Sequence, residues 1–227
     1  MKIIELFEAI PSVQQRAHTY YHGTGSDDAA RSIWASGLDP SKTAVKYGSK
    51  KSQMRPEEGS VYITPDLGYA MTYALGGAYF GHEPPEHHLG SEFGYVFEIS
   101  GDDLVDIGPD EDSVGELAWK AITKIVKPAD REWRAAQLAM TLASKYSTDT
   151  QWRKLSDGDD ATFAVVGKKI NARLTDEQKL LFIDAGVHIS HKGKLKVSKC
   201  WKFSKADSES IKADGSNFFD YAKECHF

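Results

Sequence analysis

The sequence has little cysteine, no long apolar run and no excess of basic residues, and each shortage excludes a class of protein. Only two of the 227 residues are cysteines, Cys200 and Cys225. Their spacing is that of neither a metal site nor a redox motif, so we expect both to be reduced and non-catalytic. No apolar run is long enough to span a bilayer, and the N-terminus lacks the organisation of a cleavable signal. These absences predict a cytoplasmic protein without a membrane partner.

The charge and the glycine pattern exclude two further classes. The net charge is −5, which argues against a nucleic-acid footprint over the whole surface. No G-x-G-x-x-G fingerprint follows a predicted strand, which counts against a Rossmann dehydrogenase. A hydrophobic content of 41% is typical of a globular protein with a sizeable core.

Two stretches share one pattern, in which β-formers carrying a polar side chain are followed by a helix. In the first, Tyr20-Tyr21-His22-Gly23-Thr24 precedes a capping cluster at Ser26-Asp27-Asp28, and the helix is expected to end at Gly37. In the second, Gly59-Ser60-Val61-Tyr62-Ile63-Thr64 precedes a helix start at Pro65-Asp66. The second helix has aromatic and small residues at helical spacing, namely Tyr69, Ala70, Tyr73 and Ala74.

Four features of these stretches occur in a characteristic order. They are His-Gly-Thr, a short helix ending in Gly37-Leu38, a Gly-x-x-Tyr run ending at Tyr62, and a second tyrosine, Tyr73, eleven residues later. Together they resemble the ADP-ribosyltransferase superfamily, in particular its diphtheria-toxin and poly(ADP-ribose) polymerase branch, whose triad is His, Tyr and Glu. The match covers residues 20–75. The resemblance implies an α+β fold with an ADP-ribosyltransferase-like split β-sheet core.

The resemblance also implies a role for each matching residue. His22 would hold the ribose hydroxyl of the nicotinamide nucleoside, and the Gly23 backbone would bind the nicotinamide amide. Tyr62 would pack on one side of the nicotinamide ring and Tyr73 on the other. The serine that the family often has three residues before this second tyrosine is replaced by Ala70.

Two threonines complete the implied donor site. Thr24, the last residue of His-Gly-Thr, would line the NAD site beside Gly23. Thr64 is the nearest hydroxyl that would take the place of the missing serine. The structural alternative is that the histidine completes a hydrogen bond and the tyrosines are core aromatics.

The triad glutamate is the main departure from the family pattern. The strand expected to carry it, within 186–197, contains no glutamate, and the aligned place falls near Val187 or His188. Family members without it are confined to mono-transfer, use an acid from the acceptor, or are inactive. Either His188 would orient a ribose hydroxyl, or Glu111 would reach the site from another loop. We retain Glu111 as a catalytic candidate, because breaking the nicotinamide–ribose bond develops positive charge that a carboxylate stabilises.

The acidic run around Glu111 also has a structural interpretation, since acidic residues in a first helical turn stabilise it and Ser113 or Asp112 would be the cap. The chain is expected to be a single domain over 1–227, with a helical insertion at 113–184. A polar loop is predicted at 154–160 inside that insertion.

Two loops flank the predicted site. Residues 39–59 occupy the place of the donor loop of the resembling family, and a cation there would meet the pyrophosphate; the alternative is a solvated loop. The candidate cations are Lys42, Lys46, Lys50, Lys51 and Arg55. Residues 76–88 contain three histidines without the spacing of a metal site, so we expect a loop at the mouth of the cleft and no metal. The histidines are His82, His87 and His88.

The expected function is therefore mono-ADP-ribosyl transfer from NAD, as co-substrate, to a protein or nucleic-acid acceptor. Two alternatives stay open. An RNA 2′-phosphotransferase shares the fold and a His-Gly-Thr run, and a catalytically inactive module would bind NAD or ADP-ribose without turnover.

Overall fold

The computed structural model describes residues 19–42, 59–75, 92–104, 107–212 and 214–227. The chain divides into two compact units. Residues 108–190 form one, which we call the helical unit, and the remaining described residues form the sheet unit. The predicted insertion at 113–184 falls within the helical unit. That the whole chain is a single domain stays a prediction.

The described residues contain seven strands and eight helices, besides three short 3₁₀ helices. The strands are β1 (Thr19–Thr24), β2 (Ser60–Ile63), β3 (Phe93–Ser100), β4 (Ile107–Pro109), β5 (Ile189–Lys192), β6 (Lys199–Ser204) and β7 (Lys223–Glu224). The helices are α1 (Asp27–Ser36), α2 (Leu67–Ala74), α3 (Glu111–Ile122), α4 (Trp133–Tyr146), α5 (Asp149–Ser156), α6 (Asp160–Asn171), α7 (Asp176–Asp184) and α8 (Phe218–Tyr221).

The strands form two antiparallel sheets, so the fold is α+β as expected. The first sheet has the order β1-β3-β6-β7, and its register pairs His22 with Phe97 and Gly23 with Val96. The second has the order β2-β5-β4. No described helix is long and apolar enough to cross a membrane.

Helices cover both faces of the first sheet. Tyr95, Phe97 and Cys200 pack with Ala30 of α1 on one face. Val96 and Phe203 pack on the other face, with residues of α2 and α8. Because side chains alternate along a strand, neighbouring residues of β1 face different helices.

In the sheet unit, α1 begins and ends, and α2 begins, where the sequence predicts. Ser26 is the N-cap of α1, with its hydroxyl accepting from the Ala29 N–H, and Gly37 ends the helix at a φ of 77°. Asp66 is the N-cap of α2 and accepts from the Tyr69 N–H. Left-handed φ favours glycine because it has no Cβ, which explains the residue type at 37.

In the helical unit, α3 and α6 cross at two glycines. A Cβ on Gly115 would lie 2.2 Å from the Phe163 carbonyl oxygen, and one on Gly167 would lie 1.8 Å from that of Glu111. Only glycine permits this approach of the two backbones. The core around the crossing consists of apolar residues from α3 to α7, including Leu117, Ala139 and Phe182.

Two details of the helical unit differ from the sequence prediction. The cap of α3 is Asp110, whose Oδ2 accepts from the Ser113 N–H at 3.2 Å, so the prediction of Ser113 or Asp112 was wrong. The predicted polar loop at 154–160 was too long, since α5 continues through Ser156 and α6 begins at Asp160.

The two cysteines form a disulfide, so the prediction that both are reduced was wrong. Cys200 on β6 is joined to Cys225, directly after β7, with a Cα–Cα distance of 5.4 Å. The Cys225 N–H also donates to the Cys200 carbonyl at 2.9 Å. The pairing could not be predicted from two cysteines 25 residues apart, because only the antiparallel return of β7 along β6 brings the two side chains together. Closing a loop of this size contributes about 3 kcal/mol to the free energy of unfolding.

Candidate functional site

The outer edge of β1, where β2 approaches it, holds most of the predicted site residues. Tyr21 and Thr64 form an isolated antiparallel bridge, with N–H to carbonyl bonds of 2.8 and 2.9 Å. Continuing the ladder would place Gly23 opposite Tyr62. Instead, the Tyr62 carbonyl accepts from Nδ1 of His22 at 2.9 Å. The imidazole therefore takes the place of a backbone donor, and the two strands separate after one bridge.

The separation leaves the Gly23 backbone directed to the open edge. Backbone groups alternate in direction along an antiparallel strand, and both groups of Tyr21 point to Thr64. The N–H and C=O of Gly23, two residues on, therefore point the same way. The carbonyl of Glu98, which lies opposite Tyr21 on β3, accepts from the Ser198 N–H and not from β1. This agrees with the backbone groups of Tyr21 pointing away from β3. No hydrogen bond joins Gly23 to a described residue on the open edge.

The hydrogen bond of His22 fixes its tautomer. A carbonyl oxygen only accepts, so Nδ1 carries the proton. Burial lowers the pKa of His22, and the bond to the Tyr62 carbonyl opposes this in part. The ring is therefore neutral at neutral pH, and Nε2 presents a lone pair. A neutral imidazole held this way accepts a hydrogen bond from a hydroxyl group.

Gly23 also has a structural reason to be glycine. A Cβ at this position would lie 1.8 Å from the Ala70 carbonyl oxygen and 2.8 Å from the Ala74 nitrogen. The strand thus lies directly on the backbone of α2. Tyr73, one residue before Ala74, is 48% exposed, and its ring makes an edge contact with Tyr69 at 5.1 Å between centroids.

The structure brings some of the predicted residues together and separates others. The His22 ring lies beside the backbone of Tyr62, and Gly23 contacts the helix that carries Tyr73. By strand alternation His22 faces the α1 side of β1, with Phe97, whereas α2 lies on the other side. Tyr73 is therefore connected to His22 only through Gly23, and a shared ligand would have to reach around the open edge.

The two predicted threonines have structural hydrogen bonds. The Thr24 hydroxyl accepts from the Ser26 N–H at 3.4 Å, at the start of α1. The Thr64 hydroxyl accepts from the Asp66 N–H at 3.0 Å, at the start of α2. Both side chains are buried, at 8% and 5% exposure. The hydroxyl hydrogens of both threonines are still available to an acceptor. The hydrogen bonds that the two hydroxyl oxygens accept organise the turns after β1 and β2.

The carboxylates proposed from the sequence lie in the helical unit. Glu111 is the first residue of α3, and its backbone rests on Gly167 of α6. Burial, reinforced by the Asp112 charge, raises the pKa of Asp110 to about 7. Burial, with the Glu111 charge, raises the pKa of Asp112 to about 6. Glu111 thus directly follows Asp110, a buried acid whose hydrogen bonds cap the start of α3.

The fifth strand carries no carboxylate. It consists of Ile189-Ser190-His191-Lys192, so the absence of the family glutamate extends to the whole strand. His188, the alternative from the sequence, precedes the strand, and its carbonyl accepts from the Asp110 N–H at 2.8 Å.

The remaining candidates are only partly described. Lys42 donates from Nζ to the Ser36 hydroxyl at 2.9 Å, at the end of α1. Lys46, Lys50, Lys51 and Arg55 lie outside the described residues, as do His82, His87 and His88. Among the residues that are described, no group of three His, Cys, Asp or Glu side chains forms a metal site.

Two buried polar residues beside the site were not predicted. The Ser60 hydroxyl on β2 and both ring nitrogens of His191 on β5 are buried without a hydrogen-bond partner. No sequence signal identifies them, because a missing partner is a property of the three-dimensional packing. Ser60 belonged to the strand motif, but only as a β-forming position.

Comparison with models of known protein families and with curated proteins finds no match.

Proposed function

We propose that the protein is a mono-ADP-ribosyltransferase with the split-sheet fold of that superfamily. It binds NAD as co-substrate, transfers ADP-ribose to a protein or nucleic-acid acceptor, and releases nicotinamide. The observation that carries the proposal is the open backbone pair of Gly23 between His22 and α2. One N–H and one C=O that point the same way match the C=O and NH₂ of a carboxamide, which is the functional group of nicotinamide.

The neighbouring side chains supply the rest of the donor site. Nε2 of His22 accepts from a ribose hydroxyl, and its neutral state leaves no cation to oppose the charge that develops on the sugar. The Tyr62 ring and the exposed Tyr73 ring supply aromatic faces for the nicotinamide. Thr24 and Thr64 hold the backbone turns that frame the edge. These residues position the donor and do no proton transfer.

The His22 test separates this role from a structural one. In His22→Ala, nicotinamide release from NAD should fall about 100-fold or more, because the ribose is no longer held. The Tyr62 carbonyl loses its donor, so the free energy of unfolding should fall by only about 1 kcal/mol. The rise in melting temperature that NAD gives the wild type should disappear. Calorimetry and nicotinamide release measure these effects.

The control for this variant is His226→Ala, which removes an exposed histidine of the same unit that contacts Trp34. It should keep wild-type activity and NAD response. Wild-type turnover of NAD by His22→Ala would refute the proposed function.

The transfer step needs a carboxylate near the ribose, and Glu111 is a candidate from the sequence alone. Glu111→Gln keeps the shape and removes the charge, so transfer should fall about 100-fold or more while NAD still raises the melting temperature. The matched control is Glu116→Gln on the same helix, where the side chain pairs with Lys120 at 3.1 Å and is 45% exposed. If Glu111→Gln retains the wild-type rate, the acid comes from elsewhere, such as the acceptor.

A non-catalytic module that binds NAD or ADP-ribose is the second candidate, favoured by the lack of any carboxylate on β5. The two functions differ in one measurement. A module would show NAD-dependent stabilisation that His22→Ala abolishes, without release of nicotinamide from the wild type under any acceptor condition.

A further inference from the structure

The neighbouring strands β2 and β5 are joined by a backbone hydrogen bond just outside their ends. In the sheet unit, the Gly193 N–H donates to the Gly59 carbonyl at 3.3 Å. From this bond, antiparallel pairing without a bulge is expected to put Lys192 opposite Ser60 and His191 opposite Val61. Side chains of residues directly opposite one another lie on the same face, about 5 Å apart at Cβ. Lys192 is exposed, and Ser60 is 2% exposed.

Among the Ser and Thr residues of the described chain that are buried as a whole, Ser60 alone lacks a side-chain hydrogen bond. The Ser147 hydroxyl also lacks one, but that residue is only half-buried. The other buried Ser and Thr residues all make one. The others are Thr24, Thr64, Thr72, Ser113 and Thr162. A buried hydroxyl without a partner costs free energy that an alanine in its place would not, so the folded chain alone does not explain the serine.

Ser60 shares a face of β2 with Tyr62, because the two are separated by one residue. Along the strand they are about 7 Å apart. In the donor site proposed above, Tyr62 packs on the nicotinamide, and one ribose separates the nicotinamide from the first phosphate of NAD. The position of Ser60 thus corresponds to the phosphate end of the nicotinamide nucleotide.

We propose that Ser60 and Lys192 form a phosphate-binding pair, which recognises the phosphate attached to the nicotinamide ribose. This inference rests on the proposed function, since it assigns a further residue pair to the same donor site. Lys192 makes the first contact, because it is the exposed member of the pair, and Ser60 then donates its O–H to a phosphate oxygen. A small local displacement uncovers Ser60 when the donor enters.

The test compares NAD with nicotinamide riboside, which lacks the phosphates and the adenosine of NAD, by titration calorimetry. Wild type should bind NAD more tightly than nicotinamide riboside. Ser60→Ala should weaken NAD binding about tenfold or more, because a hydrogen bond to a charged group is lost, and leave nicotinamide riboside unaffected. Lys192→Met should weaken NAD binding severalfold, with a difference from wild type that shrinks as salt is added.

Stability provides the second readout. Ser60→Ala removes an unsatisfied hydroxyl, so the unliganded melting temperature should stay level or rise. The control is Thr162→Val, which removes a buried hydroxyl bonded to Asp159 in the helical unit. It should lower the melting temperature and leave NAD affinity unchanged.

Three results would overturn the phosphate-binding pair. They are wild-type NAD affinity in both Ser60→Ala and Lys192→Met, an equal loss for NAD and nicotinamide riboside, or a large loss of stability in Ser60→Ala. The first of these leaves the proposed function standing. If wild type binds neither ligand, the proposed function fails as well, so the two failures are distinguishable.

Discussion

The helical unit and the sheet unit use their polar groups in different ways. In the helical unit, side chains satisfy helix starts: Thr148 and Gln151 form a reciprocal capping box at α5, and Thr175 and Gln178 form another at α7. The polar atoms left without a partner there include those of Asp112, Ser147 and Asn171, all at helix ends.

In the sheet unit, the groups without a partner among the described residues lie on the strands β1, β2 and β5. They are the Gly23 backbone pair, the Ser60 hydroxyl and the His191 ring. The ladder of a sheet normally satisfies backbone groups, and buried side-chain polar atoms normally have a partner as well. Unpaired groups on neighbouring strands are therefore the place where we expect a ligand to bind.

The largest expected effect comes from replacing one closely packed glycine in each unit. Gly23→Ala and Gly167→Ala would each bring a Cβ to 1.8 Å from a carbonyl oxygen, of Ala70 and Glu111 respectively. Backbone cannot move aside as a side chain does, so each variant should lose about 3 kcal/mol or more of unfolding free energy. Urea denaturation measures the loss.

The control for both variants is Gly108→Ala, whose Cβ would meet only the Ser190 hydroxyl at 3.5 Å. It should change stability by less than about 1 kcal/mol. A loss of that small size in Gly23→Ala would mean that α2 shifts easily, and the close packing of β1 on α2 would no longer explain the glycine.

The sequence predicted those parts of the fold that depend on local signals. Ser26, Gly37 and Asp66 end or begin helices through bonds within three or four residues, and all three were assigned correctly. The α3 cap was placed wrongly because several adjacent acidic or hydroxyl residues are suitable N-caps. Backbone geometry selects Asp110, which follows the end of β4 directly.

Features that depend on distant residues were missed. The Cys200–Cys225 disulfide requires the return of β7, a strand of two residues with no hydrophobic pattern. The open edge at Gly23 requires that the imidazole of His22 interrupts the ladder to β2, forty residues away. The sequence indicated the residue types at the site through the family resemblance, but only the register shows which backbone groups are left open.

The smallest expected effect concerns the buried cap of α3. Burial, and secondarily the Asp112 carboxylate, raises the pKa of Asp110 to about 7, whereas an unfolded aspartate titrates near 3.9. Between these pH values the folded protein binds more protons than the unfolded chain, so the free energy of unfolding falls as the pH rises from about 4 to about 7. Asp110→Asn keeps a capping side chain and removes this titration.

The variant should therefore gain stability relative to wild type as the pH rises, by at most about 3 kcal/mol between pH 4.5 and pH 7.5. Urea denaturation at the two pH values measures the difference. The matched control in the sheet unit is Asp66→Asn, which makes the same substitution at the exposed cap of α2. Parallel pH profiles for Asp110→Asn and wild type would show that the buried cap is not protonated in this range. In that case Asp110 would be charged near neutral pH, next to the Asp112 carboxylate.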